Sequence, residues 1–162
     1  MGKKIVMHPK FAAITSSLED KLRMLLTSEP LNFGELPTNM PTAGVYLFTE
    51  GERHLYVGRS NGLRNRYFLH CRAGSRQNQA SFAYKIARES LGVVGRSYVA
   101  GPMTRTGLAA SAAFMDEFTS AKLRIQRMAY RYVEETDQTR QALLEAYCAI
   151  VLETPYNDFD TH

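Results

Sequence analysis

Tryptophan is absent from the chain, and cysteine occurs only at Cys71 and Cys148. Neither cysteine stands in a CxxC or zinc-finger spacing, so free, buried thiols are expected rather than a disulfide or a zinc site. Long apolar runs are also missing. The longest, Ala146 to Leu152, falls far short of the roughly 20 residues that cross a bilayer. The N-terminus lacks a signal-peptide apolar core. These absences point away from a membrane and toward a soluble, cytoplasmic protein. The 162 residues, 44% of them apolar, suit one domain that buries a core without metal or disulfide staples. No internal repeat or low-complexity tract is visible.

A more local absence concerns acid. Between Arg53 and Arg88 stand Arg53, Arg59, Arg64, Arg66, Arg72, Arg76, Lys85 and Arg88, with no Asp or Glu among them. From Val133 onward the balance reverses: Glu134, Glu135, Asp137, Glu145, Glu153, Asp158 and Asp160 face only Arg140. The basic charge is concentrated in one stretch, which suggests a polyanion site there, although a solvated positive face has the same composition.

Along the chain, Phe11, Ile14, Leu18, Leu22, Leu25 and Leu26 are spaced for one face of a helix over 10–28, with His8-Pro9 at its start. Pro30, Pro37, Pro41 and Gly34 make 29–42 an irregular connector. A hairpin is predicted next, with strands near 43–49 and 53–58 around Glu50-Gly51-Glu52. If the loop is the odd-length Glu50 to Glu52, Tyr46 and Tyr56 lie opposite each other on one face. An even loop would split them. Ser60 or Asn61 could cap a helix beginning near Leu63, on which Arg66 and His70, four apart, share a face. Residues 71–79 read as a polar basic loop and 80–91 as a short helix burying Phe82 and Ile86, with Tyr84 a further candidate. A short strand at Ser97 to Ala100, a helix over 106–122, a third strand within 125–133 and an apolar helix over 137–152 complete the reading. The fold class is α+β, a small three-stranded, mostly antiparallel sheet flanked by helices.

Two constellations carry chemistry. In Ala142 to Leu152 the single charged residue is Glu145, and a carboxylate in a largely buried helix needs a partner or a cation. A hard ion such as Mg²⁺, or Mn²⁺, meets that need. The competing reading makes Gln138, Gln141 and Glu145 the solvated edge of an amphipathic helix. Gly58-Arg59-Ser60-Asn61-Gly62 matches the GxSxG of a nucleophile elbow, but after Ser60 the chain offers only His70, too soon, and the terminal His162. Ser60 therefore reads as a cap or phosphate contact.

Taken together, the residues resemble the GIY-YIG nucleases, a family that includes homing endonucleases, some restriction enzymes and the incision subunit of bacterial excision repair. Gly44-Val45-Tyr46 looks like the first element and Tyr56-Val57-Gly58 like the second. Arg66 stands where the family keeps its catalytic arginine, with His70 one turn later. Glu145 resembles the metal-binding glutamate, and Asn157, in Pro155-Tyr156-Asn157, resembles the closing asparagine. The resemblance covers about 43–70 and 124–159, leaving 1–42 as an N-terminal helix and connector and about 72–122 as a helical insertion.

It implies an Mg²⁺- or Mn²⁺-dependent endonuclease of one-metal type that hydrolyses DNA phosphodiesters. Tyr46 would accept or orient the water's proton, and Tyr56 would position water or phosphate. Arg66 would fork onto the phosphate, Glu145 would hold the ion and Asn157 would tie the site together. Arg53, Arg59, Ser60, Arg64, Arg72, Arg76, Lys85 and Arg88 are candidate backbone contacts, and Gln77, Asn78 and Gln79 candidate base readers. RNA as a partner, a monomer or a homodimer, and a non-cleaving nucleic-acid-binding module on the same fold all remain open.

Overall fold

The computed structural model describes residues 5–93, 101–102 and 104–159. The strand expected at Ser97 to Ala100, and the terminal Asp160 and His162, lie outside them.

The N-terminal apolar pattern folds as two helices, α1 (Pro9–Thr15) and α2 (Leu18–Thr27), not one. Pro9 opens α1, and the His8 ring accepts from Lys10 N–H. The break follows from side chains competing for helical carbonyls: Thr15 Oγ1 donates to Phe11 O and Ser16 Oγ to Ala13 O. α1 buries none of its residues, and Phe11 is 47% exposed, so the apolar stripe works only on α2, through Leu22 and Leu25.

The connector leads to β1 (Gly44–Glu50), which pairs antiparallel with β2 (Arg53–Ser60) and with β3 (Ala129–Glu134), giving the order β2-β1-β3. Leu31 in the connector exchanges both main-chain hydrogen bonds with Tyr130 beyond it. The central strand is buried on both faces from Gly44 to Thr49, and so reads as a continuous apolar run rather than an alternation.

The hairpin differs from the odd loop expected. Glu50 pairs with Arg53 across a two-residue turn in which Gly51 takes φ +60. That even turn alone would put the two tyrosines on opposite faces. A bulge at Leu55 restores the parity, because Thr49 pairs with His54 but Phe48 pairs with Tyr56. Tyr46 then faces Gly58, and Tyr46, Phe48 and Tyr56 share one face.

After β2 the chain forms α3 (Leu63–Cys71) and α4 (Ser81–Ser90). The helix expected over 106–122 is again divided, into α5 (Arg105–Ala109) and α6 (Ala112–Gln126). Thr104 and Ser111 cap the two starts, through Gly107 N–H and Phe114 N–H. α7 (Gln138–Val151) follows β3, capped by Asp137. The architecture is α+β with a three-stranded antiparallel sheet between helices. Tyr46, Phe48 and Tyr56 pack with α3, α4 and α6 on one face. Val45, Leu47 and Val57 pack with α2 and α7 on the other. Cys71 and Cys148 are free, buried thiols, and burial pushes them up to about 11 and about 12. Among the described residues no helix is long and apolar enough to cross a membrane.

Candidate active site

The site grows from the central strand outward. Tyr46 is 1% exposed, and its ring lies across Gly58 on the neighbouring strand. A Cβ built on Gly58 would fall within the Tyr46 ring and hydroxyl, so the glycine is what admits the tyrosine. A glycine at 44 is required likewise, since a Cβ there would strike Val133 O on β3.

Two side chains of α3 reach the Tyr46 hydroxyl. Arg66 Nε donates to it at 3.2 Å, and His70 Nε2 lies 2.7 Å away. An arginine can only donate, so the phenol oxygen accepts from Arg66; its second lone pair and its own proton let it meet His70 Nε2 as acceptor or as donor, according to the imidazole tautomer. The other ring nitrogen, Nδ1, is buried without a hydrogen-bond partner. Burial first, and the Arg66 charge second, hold His70 well below its ordinary value, so the ring is neutral. Burial raises Tyr46 far above the usual phenol range; Tyr56 adds to this and Arg66 opposes it. The resting pair is therefore a protonated phenol hydrogen-bonded to a neutral imidazole.

The rest of the Arg66 fork is also engaged. Nη1 donates to Gln79 O and Nη2 to Ser81 Oγ, both at 2.9 Å. Neither contact was legible in the sequence: one uses a main-chain carbonyl, and the other a serine at the first position of a helix. They bring the chain between α3 and β3 into the site itself. Tyr56 stacks on Phe82 of α4 at 4.7 Å and 12°, with its ring centroid 6.3 Å from that of Tyr46. Lys85 Nζ lies 5.9 Å from the Tyr56 ring centre and donates to Tyr156 O at 2.8 Å.

Glu145 approaches from α7, on the other side of the sheet. Arg59 Nε donates to its Oε2 at 3.1 Å, and the carboxylate side chain is 27% exposed. Burial raises its pKa above the ordinary carboxylate range; Arg59, Lys85 and Arg66 oppose the rise. The helix does not present Gln138, Gln141 and Glu145 as one solvated edge. Gln138 is exposed, but Gln141 is 1% exposed and donates to Asn61 Oδ1 and Glu135 O. Nor is α7 largely buried, since Ile150 and Val151 are 67% and 50% exposed. Among the described residues no three His, Cys, Asp or Glu side chains gather around a possible ion. Glu145 stands as one carboxylate, which suits a hard ion that keeps its waters and takes further oxygens from a phosphate.

Asn157 is held on β2. Its Oδ1 accepts from Val57 N–H and Thr154 Oγ1, and its Nδ2 donates to Val57 O, each at 2.8 Å. The other candidates are more dispersed. Ser60 and Asn61 do not cap α3; Ser60 Oγ accepts from Gly62 N–H, and Asn61 serves Gln141. The Ser60 hydroxyl meets this amide rather than a histidine, as a hydrolase elbow would need. Arg64 turns back onto Leu36 O and Pro37 O in the connector. Arg88 lies against the Tyr84 ring, 5.7 Å from its centre. Arg53, Arg72 and Arg76 are exposed.

Among curated proteins, a 49-residue stretch covering 30% of the chain is 37% identical to the UvrABC system protein C of Deinococcus radiodurans. The match spans 8% of that protein's length. The sequence matches no protein-family model, and no solved structure matches it at a significant level.

Proposed function

We propose that the chain is a metal-dependent endonuclease that hydrolyses DNA phosphodiester bonds. The observation that carries this reading is the Tyr46 hydroxyl held between Arg66 Nε and His70 Nε2. The resemblance of the two tyrosine motifs, and the local similarity to UvrABC system protein C, support it.

Glu145 would hold Mg²⁺ or Mn²⁺. Such an ion, when bound, neutralises charge on the phosphoryl oxygens and helps the departing 3′ oxygen. A phenol with a raised pKa is a poor base and the buried, neutral His70 refuses a proton, so the Tyr46 hydroxyl, held between Arg66 Nε and His70 Nε2, would orient the attacking water rather than deprotonate it. Arg66 carries five N–H donors, of which the bonds to Tyr46, Gln79 and Ser81 use three and Tyr56 engages a further one. That leaves a donor for a phosphate oxygen. Lys85 and Arg59 add positive charge beside Glu145, and Arg72 and Arg76 extend it along the exposed loop. Asn157 keeps the C-terminal segment on β2. One such site makes one nick, so a double-strand break would need a second copy or a second turnover.

One observation favours the alternative, a non-cleaving binding module: Arg59 already pairs with Glu145. Incubating plasmid, branched and single-stranded DNA, with RNA in parallel, separates the two readings. The assay uses Mg²⁺ or Mn²⁺ with an EDTA control. Nicking by wild type is expected, falling at least about 10²-fold in Glu145→Ala and Arg66→Ala. No cutting of any substrate by wild type would favour the binding module. Undiminished cutting by Glu145→Ala would overturn the metal assignment.

A further inference from the structure

We infer that Ser81 is a positioning residue, whose hydroxyl, together with the Gln79 carbonyl, aims the Arg66 guanidinium at the substrate phosphate. This rests on the reading of Arg66 as the phosphate contact and adds to the site a residue from the chain between α3 and β3.

The geometry is a three-point mount. Each nitrogen of the guanidinium meets a protein acceptor, Nε the Tyr46 hydroxyl, Nη1 Gln79 O and Nη2 Ser81 Oγ, and the Tyr56 hydroxyl acts on the same group. The acceptors come from different elements, so the plane of the fork is set as well as its position. A long arginine side chain loses much rotamer freedom on acting, and a mount that removes this freedom beforehand lets the fork meet a phosphate already oriented.

The two acceptors on the α4 side are themselves fixed. Ser81 opens α4, which is anchored by the buried Phe82, Ala83, Tyr84, Ile86 and Ala87. Serine at a helix start ordinarily serves as a cap, but here the capping position is Ala80 and no side chain caps the helix. The Ser81 hydroxyl is spent on Arg66 instead. Gln79 closes a turn in which its own Oε1 accepts from Arg76 N–H and its main-chain N–H donates to Arg76 O, and that turn presents the Gln79 carbonyl. Lys122 supports the preceding loop from α6, donating from Nζ to Ala73 O and Ser75 O. A segment that is also a candidate reader of substrate thereby sets the orientation of the central arginine.

The test uses the full chain and compares wild type with Ser81→Ala, Ser81→Gly and Ser81→Thr, alone and combined with Arg66→Ala. Alanine suits the first turn of a helix, so the fold is expected to persist. In Mg²⁺-dependent nicking, Ser81→Ala and Ser81→Gly should lower kcat about tenfold with KM nearly unchanged, because orientation rather than binding is lost. Threonine should restore most of the rate. In the Arg66→Ala background the serine change should add nothing. A second readout needs no cleavage: in ¹⁵N-arginine NMR the mounted guanidinium should show a protected Nε–H and separately resolved terminal nitrogens, merging in Ser81→Ala. Wild-type kcat in Ser81→Ala, an equal loss in the Arg66→Ala background, or an unchanged Arg66 spectrum would each overturn the inference. If wild type cuts nothing while the spectrum changes as expected, the nuclease reading fails and the mount stands.

Discussion

Lowering the pH from 7.5 to 5.5 should destabilise the protein through His70 in particular. The ring is 0% exposed and is boxed by Tyr46, Phe48, Tyr56 and Phe82, with centroid distances of 5.5, 5.3, 5.7 and 6.4 Å. Its charged neighbour, Arg66, has the same sign as a protonated imidazole, so burial and charge both depress its pKa well below 6.5. In the unfolded chain the same histidine titrates near 6.5. Below that value the unfolded state takes up a proton that the folded state refuses, and the equilibrium shifts toward unfolding. The contribution is complete above about pH 7.5 and is lost as pH falls toward the folded pKa; for a ring still neutral at pH 5.5 the loss is about 1.4 kcal/mol. Urea unfolding of wild type and His70→Gln at pH 7.5, 6.5 and 5.5 measures it, because the other titrating groups, Glu145 included, are common to both chains. The stability gap between them should narrow by about 1.4 kcal/mol over that range. A gap that stays constant or widens toward acid would mean that His70 is protonated in the fold. With both ring nitrogens protonated, Nε2 would then donate and the Tyr46 oxygen would accept from both sides.

Two further expectations concern the frame around the site. Asn157→Ala removes three hydrogen bonds at 2.8 Å, and at roughly 1 kcal/mol each should cost about 2–3 kcal/mol in urea unfolding; a loss below about 0.5 kcal/mol would mean that water replaces the amide fully. Lys122→Met should leave the core packing on Phe118 but free the 72–79 loop, seen as faster hydrogen exchange at Gln79 and Ala80 with the β1 amides unchanged. Equal protection in the variant would show that the lysine does not organise that loop.

Strong local patterns made much of the fold legible in the sequence: the β-branched and aromatic hairpin, the connector prolines and the Arg66–His70 spacing. What was not legible depended on side chains acting against the local pattern. Thr15 and Ser16 break a helix that the apolar stripe would continue, and Ser111 starts a new one within an alanine-rich run. The parity of the hairpin lies in a single bulged residue, Leu55, which no composition signal marks. In the site, the types of Tyr46, Arg66, His70 and Glu145 could be chosen from motif and charge. Ser81 and the Gln79 carbonyl could not, because their role comes from how α4 packs beside α3 rather than from any spacing along the chain. The competing reading sets Gln141 on a solvated edge because it is polar, yet its amide finds partners in Asn61 and Glu135 that only the packing of α7 brings within reach.

The stitch between the C-terminal segment and β2 has a consequence for how copies of this chain behave toward one another. β2 is an outer strand, and its unpaired edge would otherwise offer main-chain donors and acceptors to any passing strand. Tyr156 N–H covers Leu55 O, and the Asn157 amide covers both main-chain groups of Val57, so a carboxamide stands in for a fourth strand. A chain without that segment would carry a sticky rim. Its first symptom would be self-association that grows with protein concentration, ahead of any change in chemistry.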